Sequence, residues 1–146
     1  MHRFHHPPAL DDIVELAEHA FSAIPEELRI LVRGATIVVE EVADEETAQE
    51  LGFESPWAIT GLYRRAAPTQ KSVLDAPLEH DTITLYRGPI LLEWIETGED
   101  LFRLIRNVLM QEIAHYFGIS DADIERLERG WLLAGEWPRP SARPPC

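Results

Sequence analysis

The strongest constraint in this sequence is a helix predicted over 97–117, because its inward-facing side chains change from apolar to polar halfway along. At about 100° per residue, one sector of roughly 100° collects six side chains, namely Leu101, Leu104, Val108, Gln111, Glu112 and His115. Each buried polar group without a partner costs about 1 to 3 kcal/mol. The amide, the carboxylate and the imidazole therefore need a metal, a water, a substrate or one another, unless they lie at an exposed end of the helix.

The rest of the chain predicts an α+β fold with a small, mostly antiparallel or mixed sheet packed against helices. Asp11 or Asp12 is the predicted cap of the first helix. The predicted helices span 11–24, 25–34, 90–96, 97–117 and 120–128. The predicted strands span 36–42, 61–65 and 82–87. Since helices and strands are segregated along the chain, a doubly wound parallel sheet is not expected.

Length and composition predict a single domain over 1–146, with flexible tails at about 1–10 and 138–146. The 26 acidic residues outnumber the 13 Lys and Arg, and the formal net charge of −13 argues against nucleic acid or an anionic membrane surface as a partner. No apolar run approaches the roughly 20 residues that span a bilayer. The only cysteine is Cys146, so we expect a cytoplasmic protein without internal disulfides.

The end of the long helix resembles the extended zincin motif H-E-x-x-H-x-x-G-x-x-D. Residues 111–121 read Q-E-I-A-H-Y-F-G-I-S-D and match at every specified position except the first. In that motif, two histidines four apart present their nitrogens from one helix face, and the glycine lets a third ligand arrive from beyond the helix. The resemblance implies that His115 and Asp121 are zinc ligands, that Glu112 is the general base, and that Gly118 forms the turn.

The wider chain is similar to the small bacterial zincin-like metallopeptidases. The similarity covers about 21–127 and is carried by 61–63, 83–87 and 112–121. It implies a minimal zinc-dependent protease fold with a groove between a sheet edge and the motif helix. An extended peptide would lie in this groove and pair its backbone with the edge strand. We predict strand 82–87, the last strand before the motif helix, as that edge.

The departure from the motif is Gln111, which stands where the family has its first zinc-binding histidine. A glutamine side chain offers zinc a neutral amide oxygen, which is a weaker ligand than an imidazole nitrogen. Three accounts stay open: a variant that has lost activity, a site that binds zinc weakly through Gln111, and a site completed by a residue from elsewhere. His80 is the outside candidate, although a surface histidine in an acidic segment is the plainer interpretation.

Two functional hypotheses follow from these residues. The first is a zinc-dependent metallopeptidase-like protein that hydrolyses peptide bonds with metal-activated water. In it, Glu112 activates the water, His115 and Asp121 hold the zinc weakly or fail to hold it, and Gln111 impairs or abolishes the activity. The second is a non-catalytic module that binds an extended peptide or a protein partner on the zincin scaffold.

Overall fold

A mixed three-stranded sheet with helices packed against it forms the centre of the computed structural model, which describes residues 6–66 and 80–134. Its helices are α1 Leu10–Ser22, α2 Glu26–Leu31, α3 Glu45–Leu51, α4 Arg87–Thr97, α5 Leu101–Phe117 and α6 Asp121–Ala134, with a 3-10 turn at Pro56–Ala58. Its strands are β1 Thr36–Glu40, β2 Gly61–Arg64 and β3 Thr82–Tyr86. This architecture confirms the predicted α+β fold with a small sheet.

The strand order is β1-β3-β2, which makes β3 the central strand. β1 runs parallel to β3 with Thr36 opposite Thr82, and β2 runs antiparallel to β3 with Gly61 opposite Leu85. The prediction that strand 82–87 is the edge is therefore wrong. The alternation of side chains along a strand predicts its two faces but not its neighbours. In the described sheet the two edges are β1 and β2.

The core lies between the sheet and two helices that pack against each other. α1 lies against β1, whereas α5 lies against β2 and β3. The side chains that are 0% exposed come from all of these layers and include Ile13, Ile83, Leu85, Ile105, Leu109 and Ile113. Hydrophobic burial of this kind is the main favourable term in folding. It fixes α5 on the sheet and thereby sets the position of the motif residues.

The starts of α2 and α6 lie one residue from the predicted ones, and the starts of α1, α4 and α5 differ in ways that their first residues explain. α1 begins at Leu10 after Ala9, and the Asp12 carboxylate accepts a hydrogen bond from the Ala9 N–H at 2.8 Å, so neither aspartate is the cap residue itself. α4 begins at Arg87 and holds Pro89 in its first turn, where a missing N–H costs nothing. α5 begins after Asp100, whose carboxylate accepts from the Arg103 N–H at 3.1 Å.

The start of the described chain is attached to the first residue of α4. Pro8 is buried, and its carbonyl accepts a hydrogen bond from Arg87 Nε at 2.6 Å. The remaining parts of the predicted tails, 1–5 and 138–146, lie outside the described residues. Within the described helices, none combines the length and the hydropathy that crossing a membrane requires.

Candidate functional site

The C-terminal end of α5 turns sharply into α6. Gly118 adopts φ 71°, a left-handed conformation that glycine reaches without steric cost. The Ile119 N–H donates to the Ala114 carbonyl at 2.8 Å and the Gly118 N–H donates to the His115 carbonyl at 3.4 Å, which is the Schellman pattern of a helix end. α6 then starts at once, since Ser120 Oγ accepts from the Asp123 N–H at 3.1 Å. The turn is therefore held by backbone and cap hydrogen bonds.

This turn brings three of the four predicted site residues to one cleft. The cleft lies between α5 and α6, has a volume of 820 Å³, and is called the α5–α6 cleft below. It is lined by Asn107, Met110, Gln111, Ala114, His115, Ile119, Asp121, Ala122, Ile124, Glu125 and Glu128. Gln111 and His115 reach it from α5, and Asp121 reaches it from the first turn of α6. The motif residues on either side of Gly118 thus face a common space.

The fourth predicted site residue, Glu112, lies on the other flank of α5, beside β2. A β-carbon at Gly61 would stand 3.1 Å from Glu112 Cγ and 3.0 Å from Val108 Cγ1, so the strand packs closely on the helix here. At about 100° per residue, His115 lies between the two flanks, about 40° from Gln111 and about 60° from Glu112. His115 therefore lies on the part of the α5 surface between the cleft and the flank that packs on β2.

Burial controls the charge of Glu112. Loss of solvent around the half-buried carboxyl raises its pKa from 4.5 to about 7, and the positive charge of His115 opposes this rise. A carboxylate whose pKa lies near neutrality has the proton affinity that a general base needs at pH 7. The chemistry that the motif assigns to Glu112 is compatible with this environment.

Of the two alternatives that the helical pattern left open, exposure at the end of the helix holds for Gln111 and His115, and partial burial holds for Glu112. The difference arises because the cleft is open, so water satisfies the amide and the imidazole, while β2 covers the carboxylate. The helical periodicity predicted their shared sector, but it does not reveal which neighbour covers each part of that sector.

The donor set of the cleft does not fit a tightly held catalytic zinc. Such a zinc takes three protein ligands and leaves a fourth position for water. His115 and Asp121 supply an imidazole and a carboxylate, but Gln111 supplies only an amide. In residues 6–66 and 80–134, no three histidine, cysteine, aspartate or glutamate side chains form a group that could hold a metal ion. His80 is exposed and does not line the cleft.

An aromatic cluster joins β2 to the last turn of α5. The ring of Tyr63 stacks on Tyr116 with centroids 4.3 Å apart and meets the edge of Phe117 at 5.7 Å. The Tyr63 hydroxyl donates to Asp81 at 2.6 Å, and the Ala66 N–H donates to the same carboxylate at 2.8 Å. Burial and the Asp81 carboxylate raise the pKa of Tyr63, and the same two hydrogen bonds lower the pKa of Asp81. The cluster fixes β2 relative to the motif.

Sequence reasoning missed two acidic residues of the cleft, Glu125 and Glu128. They follow Asp121 at spacings of four and seven residues, which places all three on one face of a helix. That spacing was available as a signal once a helix was predicted from Ser120. The pairing of Tyr63 with Asp81 had no comparable signal, because the two residues lie 18 positions apart in the sequence and only the tertiary structure brings them together.

Comparison with known proteins identifies one family. A family model described as zincin-like metallopeptidase matches residues 32–131. A search of curated proteins finds no match. Among solved structures, a conserved hypothetical protein from T. thermophilus is 25% identical, with a TM-score of 0.49. The alignment covers 75% of this chain and 94% of that one.

Proposed function

Since the chain belongs to the zincin-like metallopeptidase family, we propose that it is a metallopeptidase-like protein that binds an extended peptide or protein segment and whose zinc site is impaired. The observation that supports this proposal is that Gln111, which stands where the family motif has its first histidine, lines the same cleft as His115 and Asp121. Efficient hydrolysis by this family needs that zinc ligand. A protein that lacks it can still bind a peptide but hydrolyses it slowly or not at all.

The chemistry of the amide supports the impairment. Glutamine offers a neutral oxygen, and its nitrogen is a donor that cannot ligate. A bound zinc supplies the Lewis acid that lowers the pKa of its water to about 7. With one strong nitrogen ligand and one carboxylate, the site neither holds such an ion firmly nor positions it. We therefore assign the residues of the α5–α6 cleft a role in binding a peptide rather than in its rapid hydrolysis.

The surroundings of the motif support a groove for an extended chain. β2 pairs with β3 on one side, and in the described sheet no strand pairs with its other side. Such a free edge can accept the backbone of a peptide as an additional strand. Exposed Tyr116 and Phe117 add apolar surface at the end of α5, next to this strand. The proposed groove runs between β2 and the α5–α6 cleft.

Metal content tests the assignment of Gln111 directly. The protein is mixed with equimolar zinc and passed through a desalting column, and the bound zinc is measured by elemental analysis. We expect near-stoichiometric zinc only in Gln111→His, because the third strong ligand is then present. The exposed Gln49 on α3 provides the matched control, Gln49→His, which adds a histidine away from the cleft. Equal tight zinc in the native protein and in Gln111→His would contradict the proposal.

Cleavage of an unfolded protein tests the catalytic consequence. We expect no chelator-sensitive cleavage by the native protein and measurable cleavage by Gln111→His. Adding Glu112→Gln to that variant removes the base and should abolish the gain. Cleavage by the native protein that a chelator stops would show that the glutamine site is active.

A second candidate function, slow zinc-dependent hydrolysis by the native chain, is favoured by one observation. The pKa of Glu112 is raised to about 7, so the general base of the motif is retained in a suitable environment. This function predicts that a large excess of zinc induces slow cleavage by the native protein. It also predicts that Glu112→Gln removes this cleavage without removing peptide binding.

A further inference from the structure

We infer that the α5–α6 cleft accepts a cationic side chain, lysine or arginine, of the peptide that the groove binds. This inference rests on the proposed peptide binding and specifies its ligand. It concerns the charged rim and the apolar floor of the cleft, and it does not depend on zinc or on the replacement of histidine by Gln111. The occupant is identified by charge, by the distribution of apolar surface, and by the size of the space.

The rim of the cleft is negatively charged. Asp121 and Glu125 lie one turn apart on α6, both are exposed, and neither has an ion-pair partner among the described residues. Glu128 lies further along the same face and forms an ion pair with Arg106. Among the residues whose side chains the structure describes, no lysine or arginine lines the cleft. Two carboxylates are thus available to a ligand, and exposed Gln111 adds a neutral acceptor at the same rim.

The floor of the cleft is apolar. Met110 and Ala114 are each 6% exposed, and Ile119 and Ile124 are partly buried against the core. Lysine and arginine have the matching shape, since they lay an aliphatic stem along apolar surface and keep a charged head in a polar environment. A glutamate side chain would meet like charge at the rim, and a purely apolar side chain would leave the carboxylates unused. The combination favours a long cationic side chain.

The size and geometry of the cleft favour an organic cation over a metal ion. Its volume of 820 Å³ admits a lysine or arginine side chain together with part of the adjoining peptide, whereas a metal ion needs ligands that converge on one point. No three metal-ligating side chains of the described residues converge in it. The net charge of −13 also attracts cationic segments over a longer range, because the field of the whole chain steers them.

Three fluorescent peptides of equal length that differ only at the central residue test this inference on the native protein. The central residue is lysine, norleucine or glutamate, and dissociation constants are measured by fluorescence anisotropy. We expect the lysine peptide to bind about tenfold more tightly than the norleucine peptide, since charge-assisted hydrogen bonds form at the rim. This advantage should shrink between about 50 and about 300 mM salt, because the rim is exposed.

Two variants of the rim make the test specific. In Asp121→Asn with Glu125→Gln, the lysine and norleucine peptides should bind equally. In Glu125→Lys, the order should shift towards the glutamate peptide, which an unfolded variant could not produce. The control is Glu15→Gln with Glu18→Gln, which removes two exposed charges from α1 and should keep the preference of the native protein.

The outcomes separate this inference from the proposed function. Equal binding of all three peptides to the native protein would overturn the cationic preference and leave the peptide groove intact. No binding of any peptide would overturn both. Displacement of the lysine peptide by equimolar zinc, with the norleucine peptide unaffected, would identify the rim as a metal site and would also overturn the inference.

Discussion

The two flanks of α5 differ in how tightly they are covered. On the β2 flank, Gly61 lies against Glu112 and Val108, and the carboxyl group is half-buried with a raised pKa. On the α6 flank, Gln111 and His115 are exposed on an open cleft. The first flank depends on close packing, whereas the second is solvated. The comparison teaches that close packing against β2 limits which side chains residue 112 can carry, whereas exposed position 111 has no such limit.

Gly61→Val should have the largest effect on this comparison. A β-carbon at residue 61 would already lie 3.0 Å from Val108 Cγ1 and 3.1 Å from Glu112 Cγ, so a branched side chain forces the strand off the helix. We expect the free energy of unfolding to fall by about 3 kcal/mol, measured by urea denaturation. Ala122→Val on the exposed side of the cleft should stay within about 0.5 kcal/mol. Similar losses at both positions would mean that the flanks are equally packed.

Glu112→Gln should raise the free energy of unfolding at pH 8, whereas Gly61→Val lowers it. Because folding raises the pKa of Glu112 from 4.5 to about 7, the folded state binds more protons in this interval, and the free energy of unfolding falls as the pH rises through it. The variant should lack this fall and should be more stable at pH 8 by about 1 to 2 kcal/mol, a range that allows for solvent screening. Denaturation between pH 4 and pH 8 measures it.

The control for Glu112→Gln is Glu125→Gln on the open flank. Glu125 is exposed, so its replacement should change the free energy of unfolding at pH 8 by no more than about 0.5 kcal/mol. If the native protein shows no loss of stability between pH 4.5 and pH 7, the carboxyl group is not covered by β2 in the way described.

Asp81→Asn should give the smallest effect, again on the β2 flank. The hydrogen bonds from Tyr63 and Ala66 lower the pKa of Asp81 below its ordinary value of 3.8. The stability that they contribute is therefore present above this value and is lost as the pH falls below it. We expect a cost of about 1 kcal/mol at pH 7, and native and variant curves should converge in acid. Tyr63→Phe should give a loss that is not additive with it.

Local signals predicted the motif helix and its end well. Asp100 caps α5 by accepting from the Arg103 N–H, and Gly118 ends it in the left-handed conformation. Both are properties of a few neighbouring residues, so they can be recognised in a single sequence. The same holds for Ser120 at the start of α6. The prediction that His115 and Asp121 belong to one site came from the resemblance to the zincin motif, and the turn at Gly118 with the cap at Ser120 brings both residues to the α5–α6 cleft.

Contacts between distant segments were not predictable in this way. β3 has the same alternation whether it lies at an edge or in the centre, and only its pairing with both β1 and β2 decides the question. Likewise, the exposed states of Gln111 and His115 depend on how far α6 stands from α5. Hydrophobic periodicity identifies a face of a helix, but the element that covers this face is determined by tertiary structure.

The turn at Gly118 has an evolutionary consequence. Its hydrogen bonds involve the carbonyls of Ala114 and His115 and the cap at Ser120, and none of them involves residue 111. A single nucleotide change that replaces the exposed Gln111 with histidine should therefore leave this turn and its caps intact. Under the proposed function, the residue at position 111 can therefore decide between binding and hydrolysis at no cost to folding.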